Sequence, residues 1–389
     1  MILDRVTRHA PSGVSPDIAE DEMAARISKK IAAKSDQELA ERLPFGCHGS
    51  AKLPLVEVSS YNVEVREHGR FVGDRANKKA FRDLIEKWRT IAERRGDDPF
   101  KNIPAEKLSR KKLEHALLKG ESDAAGLVHA AINDFAKRLA DVIQRYVELP
   151  EWKKTELILI GGGMRGSRLG ELAVGRAQSI LYERKLAIEL RLIAADPDTA
   201  GLIGAVFLAP SWIFCGYDGI LAVDIGGTNI RAGIVEFQIS KKLRIAHPQA
   251  IRTSIWDHAE DDPNRDDAIE RLLSMLKKLV RWSKKNKLRL APFVGVGCPG
   301  RIRLDGAIDR GAQNLPGNWE ADRFNLPMHI SDKLTIVSQH RTVVIMHNDA
   351  VIQGLSELPN TRGVEHWAIL TIGTGLGNAK FATLAARDR

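Results

Sequence analysis

The sequence predicts an α/β protein, and three observations carry that prediction. Short β-branched, apolar runs of strand length recur along the chain, among them Glu156–Ile160, Ile220–Val223 and Thr342–Met346. Between them lie longer segments whose apolar residues repeat at helical spacing. Several strands also run straight into glycine clusters, at the strand ends where open α/β sheets bind their ligands. At 389 residues the chain has room for two domains of ordinary size.

Residues 1–45 are polar and charged, with a helix expected over Asp21–Leu43 and no strand pattern, and read as an extension. Residues 53–73 alternate well enough for two strands. Helices are expected over 77–95, 105–118 and 122–149, the last carrying Leu127, Ala131, Phe135, Leu139, Val142, Ile143 and Tyr146 along one face. Next comes a buried-type strand ending in Gly161-Gly162-Gly163. Such glycines mark either a tight turn or a place where something flat, such as a base or ribose, approaches the backbone. A helix over 169–184, a strand over 188–193 and a helix over 198–208 complete that α/β unit. Pro210–Gly216 is a short connector holding an exposed Trp212 and Cys215.

The chain is organised around Leu221–Glu236, a strand–turn–strand hairpin. Gly226-Gly227-Thr228 at its tip, followed by Asn229, brings backbone N–H groups and a hydroxyl close to an anion. Asp224, at the end of the first strand, is placed to hold a phosphate-bound Mg²⁺ directly or through water. An ordinary capped hairpin is the bland alternative for the tip alone. Residues 293–300 form another strand ending in turn residues, and Asn314-Leu-Pro-Gly317-Asn-Trp319 is a loop of amides and an indole suited to a hydroxyl-rich ligand. Asp349, just before a helix, is either that helix's N-cap or a base at a strand's carboxyl end. Residues 367–377 repeat the strand-into-glycine pattern, with Thr374 and Gly375 in a second phosphate-type hairpin.

Composition narrows the class. Apolar content of 43% and charged content of 28% fit a soluble globular protein. No apolar run approaches the ~20 residues of a membrane span. The first residues lack the apolar core of a signal peptide, so the cytoplasm is the expected compartment. Cys47, Cys215 and Cys298 are three and widely spaced, against a disulfide framework or a four-ligand zinc site. The net charge of +9 gathers partly on residues 266–288, where basic side chains accompany apolar ones at helical spacing. That pattern is a solvated helix face rather than a nucleic-acid groove.

Asp224-Ile-Gly-Gly-Thr-Asn229, Gly297-Cys-Pro-Gly300, Asn314-Leu-Pro-Gly317, Asn348-Asp349 and Gly373-Thr-Gly-Leu-Gly377 resemble the successive motifs of the ROK (repressor, open reading frame, kinase) sugar-kinase family. Residues 218–381 carry that family's first half. Gly120–Ala125 with its long helix, Ile158–Gly163 and Asp198–Ala205 are similar to its closing elements. The resemblance implies a two-lobed, actin-like ATPase (ribonuclease-H-like) fold, circularly permuted through about Pro210–Gly219. The implied division is an extension (1–45), most of the second lobe (46–210), a connector (211–219), the first lobe (220–360) and the opening strands of the second (361–389).

It further implies an ATP-dependent kinase of a sugar hydroxyl, using Mg²⁺ and no zinc, acting as a homo-oligomer, a dimer, without membrane or nucleic-acid partners. Asp349 would be the general base, with Asn314, Asn348 and Gly317 at the sugar. Gly226, Gly227, Thr228, Asn229, Thr374 and Gly375 would wrap the phosphates, Asp224 would position the metal, and Gly162 and Gly163 would lie along the adenosine. The sequence departs from the family in its sugar-binding Glu/His pair, for which Glu64 and His68 are the nearest candidates. It departs also in the zinc cluster, which Cys47-His48 alone cannot make. The alternative is a weakly active or inactive sugar-sensing regulator of the same family, with residues 1–45 as its head.

Overall fold

The computed structural model describes residues 47–384, apart from 95, 97, 101–102 and 105–106; the helix expected over 21–43, and the rest of the 1–45 extension, lie outside them. In chain order the elements that build the site are β1 (Val56–Tyr61), α1 (Lys78–Glu93), α2 (Ser122–Val147), β2 (Leu157–Gly162), α3 (Arg168–Glu183), β3 (Glu189–Leu192) and α4 (Pro197–Gly204). After the connector come β4 (Gly219–Ile225), β5 (Asn229–Ile239), β6 (Ile245–Asp257), α5 (Arg265–Lys285), β7 (Leu290–Cys298), β8 (Val343–Asn348), α6 (Asp349–Leu355), β9 (His366–Ile372) and β10 (Leu376–Thr383).

The strands form two five-stranded sheets. In the first, β4, β5 and β6 make an antiparallel meander, and β7 and then β8 join parallel on the other side of β4. Its order is therefore β6-β5-β4-β7-β8. In the second, β9, β10 and β1 make the antiparallel meander, and β2 and then β3 join parallel beside β9, giving β1-β10-β9-β2-β3. The two orders coincide strand for strand when β9 and β10 are read ahead of β1.

Strand periodicity decides the layers. In β4, Leu221, Val223 and Ile225 pack against Ile269, Leu272 and Leu276 of α5, whereas Ile220 and Ala222 point to the opposite face. In β2, Ile158 and Ile160 pack with Phe135 and Leu139 of α2, and Leu157 and Leu159 point the other way. The inward faces of both sheets share one core with α4 and α6, so the layers run helix, sheet, helix pair, sheet, helix. Strands buried on both faces read as continuous apolar runs, which is why β2 and β4 were legible. Burying each such Leu or Ile contributes about 1.5–3 kcal/mol. Where α4 crosses α6, a side chain at Gly204 would sit 1.7 Å from the Ile352 carbonyl oxygen, so only glycine permits the crossing.

The α2 stripe from Leu127 to Tyr146 is buried along its length. Residues 53–73 supply one sheet strand rather than two. Beyond Tyr61 there is only a two-residue hairpin, Arg66–Glu67 on Arg70–Phe71, because His68 and Gly69 turn the chain in the left-handed region. The helix expected from residue 105 is described from Arg110, capped by Ser109, whose side chain accepts the Lys112 N–H.

Candidate active site

The sequence-predicted residues gather at one end of both sheets, the carboxyl ends of β4, β7, β8, β9 and β2. Asp224 lies in β4 opposite Arg231 of β5 and beside Gly297 of β7. Its carboxylate stands 3.7 Å from the Arg231 guanidinium, which also donates to Asp198 of α4 at 2.9 Å. Gly201 of α4 packs directly on it, since a Cβ there would approach the Asp224 carboxyl carbon to 2.4 Å. Burial raises the Asp224 pKa, Arg231 pulls it back and Asp198 pushes it up again. The Arg231 Nε is buried without a hydrogen-bond partner among the described residues.

Asp349 opens α6. The N-cap is its neighbour Asn348, whose side-chain oxygen accepts the Ala350 and Val351 N–H groups while its amide donates to the Gly300 carbonyl at 2.9 Å. Asn348 is thus the N-cap, although the Asp349 carboxylate also accepts the Ala350 N–H at 2.9 Å, and Asn348, 2% exposed, is engaged in holding the helix and the Gly297–Gly300 turn. Burial, then the charge of Asp224, pushes the Asp349 carboxyl up to about 7. Gly297 lies between the two acids, with Asp224 at 3.5 Å and the Asp349 backbone at 3.7 Å from where a Cβ would stand. Cys298, fully buried beside both acids, is pushed well up by burial and by their charge.

The two glycine/threonine hairpins meet. The Thr228 and Thr374 hydroxyls are 3.3 Å apart. The first turn is closed by the Gly226 N–H on the Asn229 carbonyl at 2.9 Å, and the second by the Gly373 N–H on the Gly375 carbonyl at 2.9 Å. Gly162, at φ +82°, ends β2 one strand from the second hairpin, and a Cβ there would strike the Ile372 carbonyl at 2.3 Å. Gly163 donates to that same carbonyl and opens onto free space. Thus the glycines that end β2 lie beside the two hairpins.

Asn314 is exposed and packs on Gly227, 3.0 Å from the position of a Cβ. Gly317 turns the loop at φ +73° against Arg265 at the start of α5. The indole expected to face a ligand does not do so. Trp319 is 1% exposed, packs edge-on against Phe324 at 5.5 Å and donates to the Pro316 carbonyl. Burying a ring of that size against Phe324 outweighs leaving it exposed to solvent. Glu64 and His68 lie in the small hairpin region, exposed, and no described contact joins them to Asp349, Asn348 or Asn314.

Two histidines escaped the sequence reading. His258, 3% exposed, stands behind the first hairpin with Nε2 on the Gly226 carbonyl at 2.8 Å, while its backbone N–H donates to the Thr228 carbonyl. His347 is fully buried; its Nδ1 accepts the Asn348 N–H at 2.7 Å and its Nε2 lies on the Ser50 carbonyl at 3.0 Å. Burial lowers its pKa to about 4, so it stays neutral and couples residues 47–53 to the strand end that carries Asp349. Adjacency to Asn348-Asp349 was the only sequence signal for it.

No protein-family profile matches the chain. Over 160 residues it is 26% identical to the glucokinase of Thermotoga maritima, an alignment covering 41% of this chain and 43% of that protein. The chain therefore spans less than half the length of that curated relative. Among solved structures it is similar to a ROK hexokinase from Thermus thermophilus, at 20% identity and TM-score 0.28, covering 41% of this chain and 45% of the other. It is also similar to the PPX-GPPA enzyme of Aquifex aeolicus, at 12% identity and TM-score 0.31, covering 61% and 84%. Among the described residues no helix is long and apolar enough to cross a membrane.

Proposed function

We propose that this chain is an ATP-dependent carbohydrate kinase of the ROK type, with Asp349 as general base. One observation carries the proposal. A carboxyl raised to about 7 sits beside a second, half-buried acid, at the end of both sheets where two glycine/threonine hairpins meet. A base whose pKa lies near the working pH is the form such a proton transfer needs. The distant likeness to a glucokinase agrees with this chemistry.

Magnesium fits the donor set. The charge of Asp224 bears on Asp349, and a divalent cation on Asp224 would relieve that repulsion. One or two carboxylates are enough for Mg²⁺, which keeps water and phosphate as its other ligands. Bound Mg–ATP would supply the phosphoryl group and neutralise charge as it transfers. The chain's own part is alignment. Gly226, Gly227, Thr228 and Asn229 on one side and Thr374 and Gly375 on the other cradle the phosphates, while Gly162 and Gly163 leave room for adenosine. Asn314 presents its amide to the sugar, Gly317 shapes that loop, and Asn348 acts from behind by fixing Asp349. Asp349 takes the proton from the sugar hydroxyl as that oxygen attacks.

The circularly permuted order is part of the proposal. It is supported by the strand orders of the two sheets, which agree only when β9 and β10 precede β1. The test of function is ADP release from ATP against a panel of hexoses, amino sugars and polyols. Stimulation by one of them names the substrate. Binding of a sugar that stabilises the fold without any turnover would instead make the chain a sensor.

A further inference from the structure

At the opposite end of the sheets, beneath the amino ends of β4 and β9, lies a second concavity of about 1020 Å³. That is slightly above the ~300–1,000 Å³ of small-molecule sites, as suits a groove open to solvent along one side. Both sheets contribute to it. Ile245 begins β6, Leu55 precedes β1, Phe207 lies in the helical turn Ala205–Leu208 after α4, Pro210 opens the connector, and Leu358 comes from the loop leading to β9.

Its floor is apolar and its rim is basic. Lys52, Lys242, Arg244 and Arg362 stand around it, against a single acid among the described residues, Glu57. All four cations are exposed, and none forms a salt bridge among the described residues. Two large apolar side chains stand at the mouth, Trp212 at 55% and Leu243 at 52% exposure. Leu243 sits at φ +52° in the β5–β6 turn, a left-handed conformation that costs a branched residue roughly 1–2 kcal/mol. The Ser211 hydroxyl, donating to the Leu243 carbonyl, holds the turn against the connector. An Asn or Gly there would avoid the strain, so the turn keeps a strained leucine at the edge of an apolar groove.

We infer that this groove binds a free amphipathic anion: an apolar chain or ring system carrying one carboxylate, sulfonate or phosphate. The apolar body lies on Leu55, Phe207, Ile245 and Leu358, and the anionic head meets the Lys242–Arg244 side of the rim, where the guanidinium and ammonium groups form no ion pair among the described residues. A neutral ligand would leave those cations unused, and a cation would meet four like charges. This inference does not depend on the kinase assignment.

The test is calorimetric titration of the full chain with dodecanoate, dodecanol and dodecyltrimethylammonium. Saturable one-to-one binding of dodecanoate is expected, at least tenfold tighter than either of the others. Lys242→Glu combined with Arg244→Glu should weaken it at least tenfold with Tm unchanged, since both side chains are exposed, and Trp212→Ala should separately weaken it at least tenfold. Equal binding of the three probes, no binding, or binding indifferent to these substitutions would overturn the assignment. So would co-sedimentation with phosphatidylglycerol vesicles in place of one-to-one binding, which would make the face a membrane surface. A dimer that Trp212→Glu converts to monomer would give the groove to a second copy and equally overturn it.

Discussion

At the scale of single residues, the site is governed by two acids that share little solvent. The Asp349 carboxyl ionises near 7 when folded and at 3.8 when free. The folded state therefore holds its proton more tightly. Stability that is full below pH 4 is lost as pH rises through 7, by an amount on the order of 4 kcal/mol. Asp349→Asn removes that loss, so the nucleotide-free variant should melt above the wild type at pH 8 and close to it at pH 4. Equal melting differences at both pH values would mean that Asp349 ionises normally. The hydroxyl pair at the cleft makes a different prediction. Thr228→Ala and Thr374→Ala each delete a donor facing the proposed phosphates, a hydrogen bond to a charged group being worth about 1.5–3 kcal/mol. Each should raise the Kd for ATP roughly tenfold or more, with Tm nearly unchanged, as read by calorimetry. At this scale Asp224, Asp349 and the glycines were legible because acids and glycines at strand ends carry local signals. His258 and His347 were not, because their partners, the Gly226 and Ser50 carbonyls, come from distant chain.

At the scale of elements, glycine divides into two kinds that sequence alone does not separate. Gly126 in α2 has nothing within 4 Å of a would-be Cβ, whereas Gly204 in α4 meets the Ile352 carbonyl at 1.7 Å. Gly126→Ala should stabilise by about 0.5–1 kcal/mol through helix propensity. Gly204→Ala gains the same propensity but forces α4 and α6 apart, and should cost about 1–3 kcal/mol or more. Denaturant titration of both variants checks the contrast; two stabilised proteins would mean the helices do not cross as closely as described. Periodicity made α2 and α5 readable, since a single apolar stripe sufficed. The Asn314 loop was readable only in part. Its turn chemistry announced a loop, but the fate of Trp319 depends on Phe324 and the core beneath, which no local pattern reports.

At the scale of the whole molecule, two sheets of one strand order enclose a shared helical layer, and the second is assembled from both parts of the chain. Strand β9 is central in that sheet yet comes after 365 residues that include its parallel neighbour β2. Parallel pairing over such separations is invisible to local reading, so only the order of motifs hinted at it. If the permuted account is right, a chain opened at Gly216 in the connector, with Leu384 joined to Cys47 by a flexible linker, should fold to the same circular dichroism spectrum. It should also keep any sugar-dependent turnover within about tenfold, because exposed connectors tolerate new ends. Failure of that chain to fold, while the natural order folds, would contradict the equivalence of the two sheets.

The central claim is that Asp349 removes the proton of an attacking sugar hydroxyl. It is tested most directly by following transfer of labelled γ-phosphate from ATP to the sugar that stimulates turnover, in wild type and Asp349→Asn, with nucleotide affinity measured alongside. The account predicts loss of transfer by about 10²–10⁴-fold or more in the variant, with ATP affinity retained. Transfer at the wild-type rate by Asp349→Asn would contradict it.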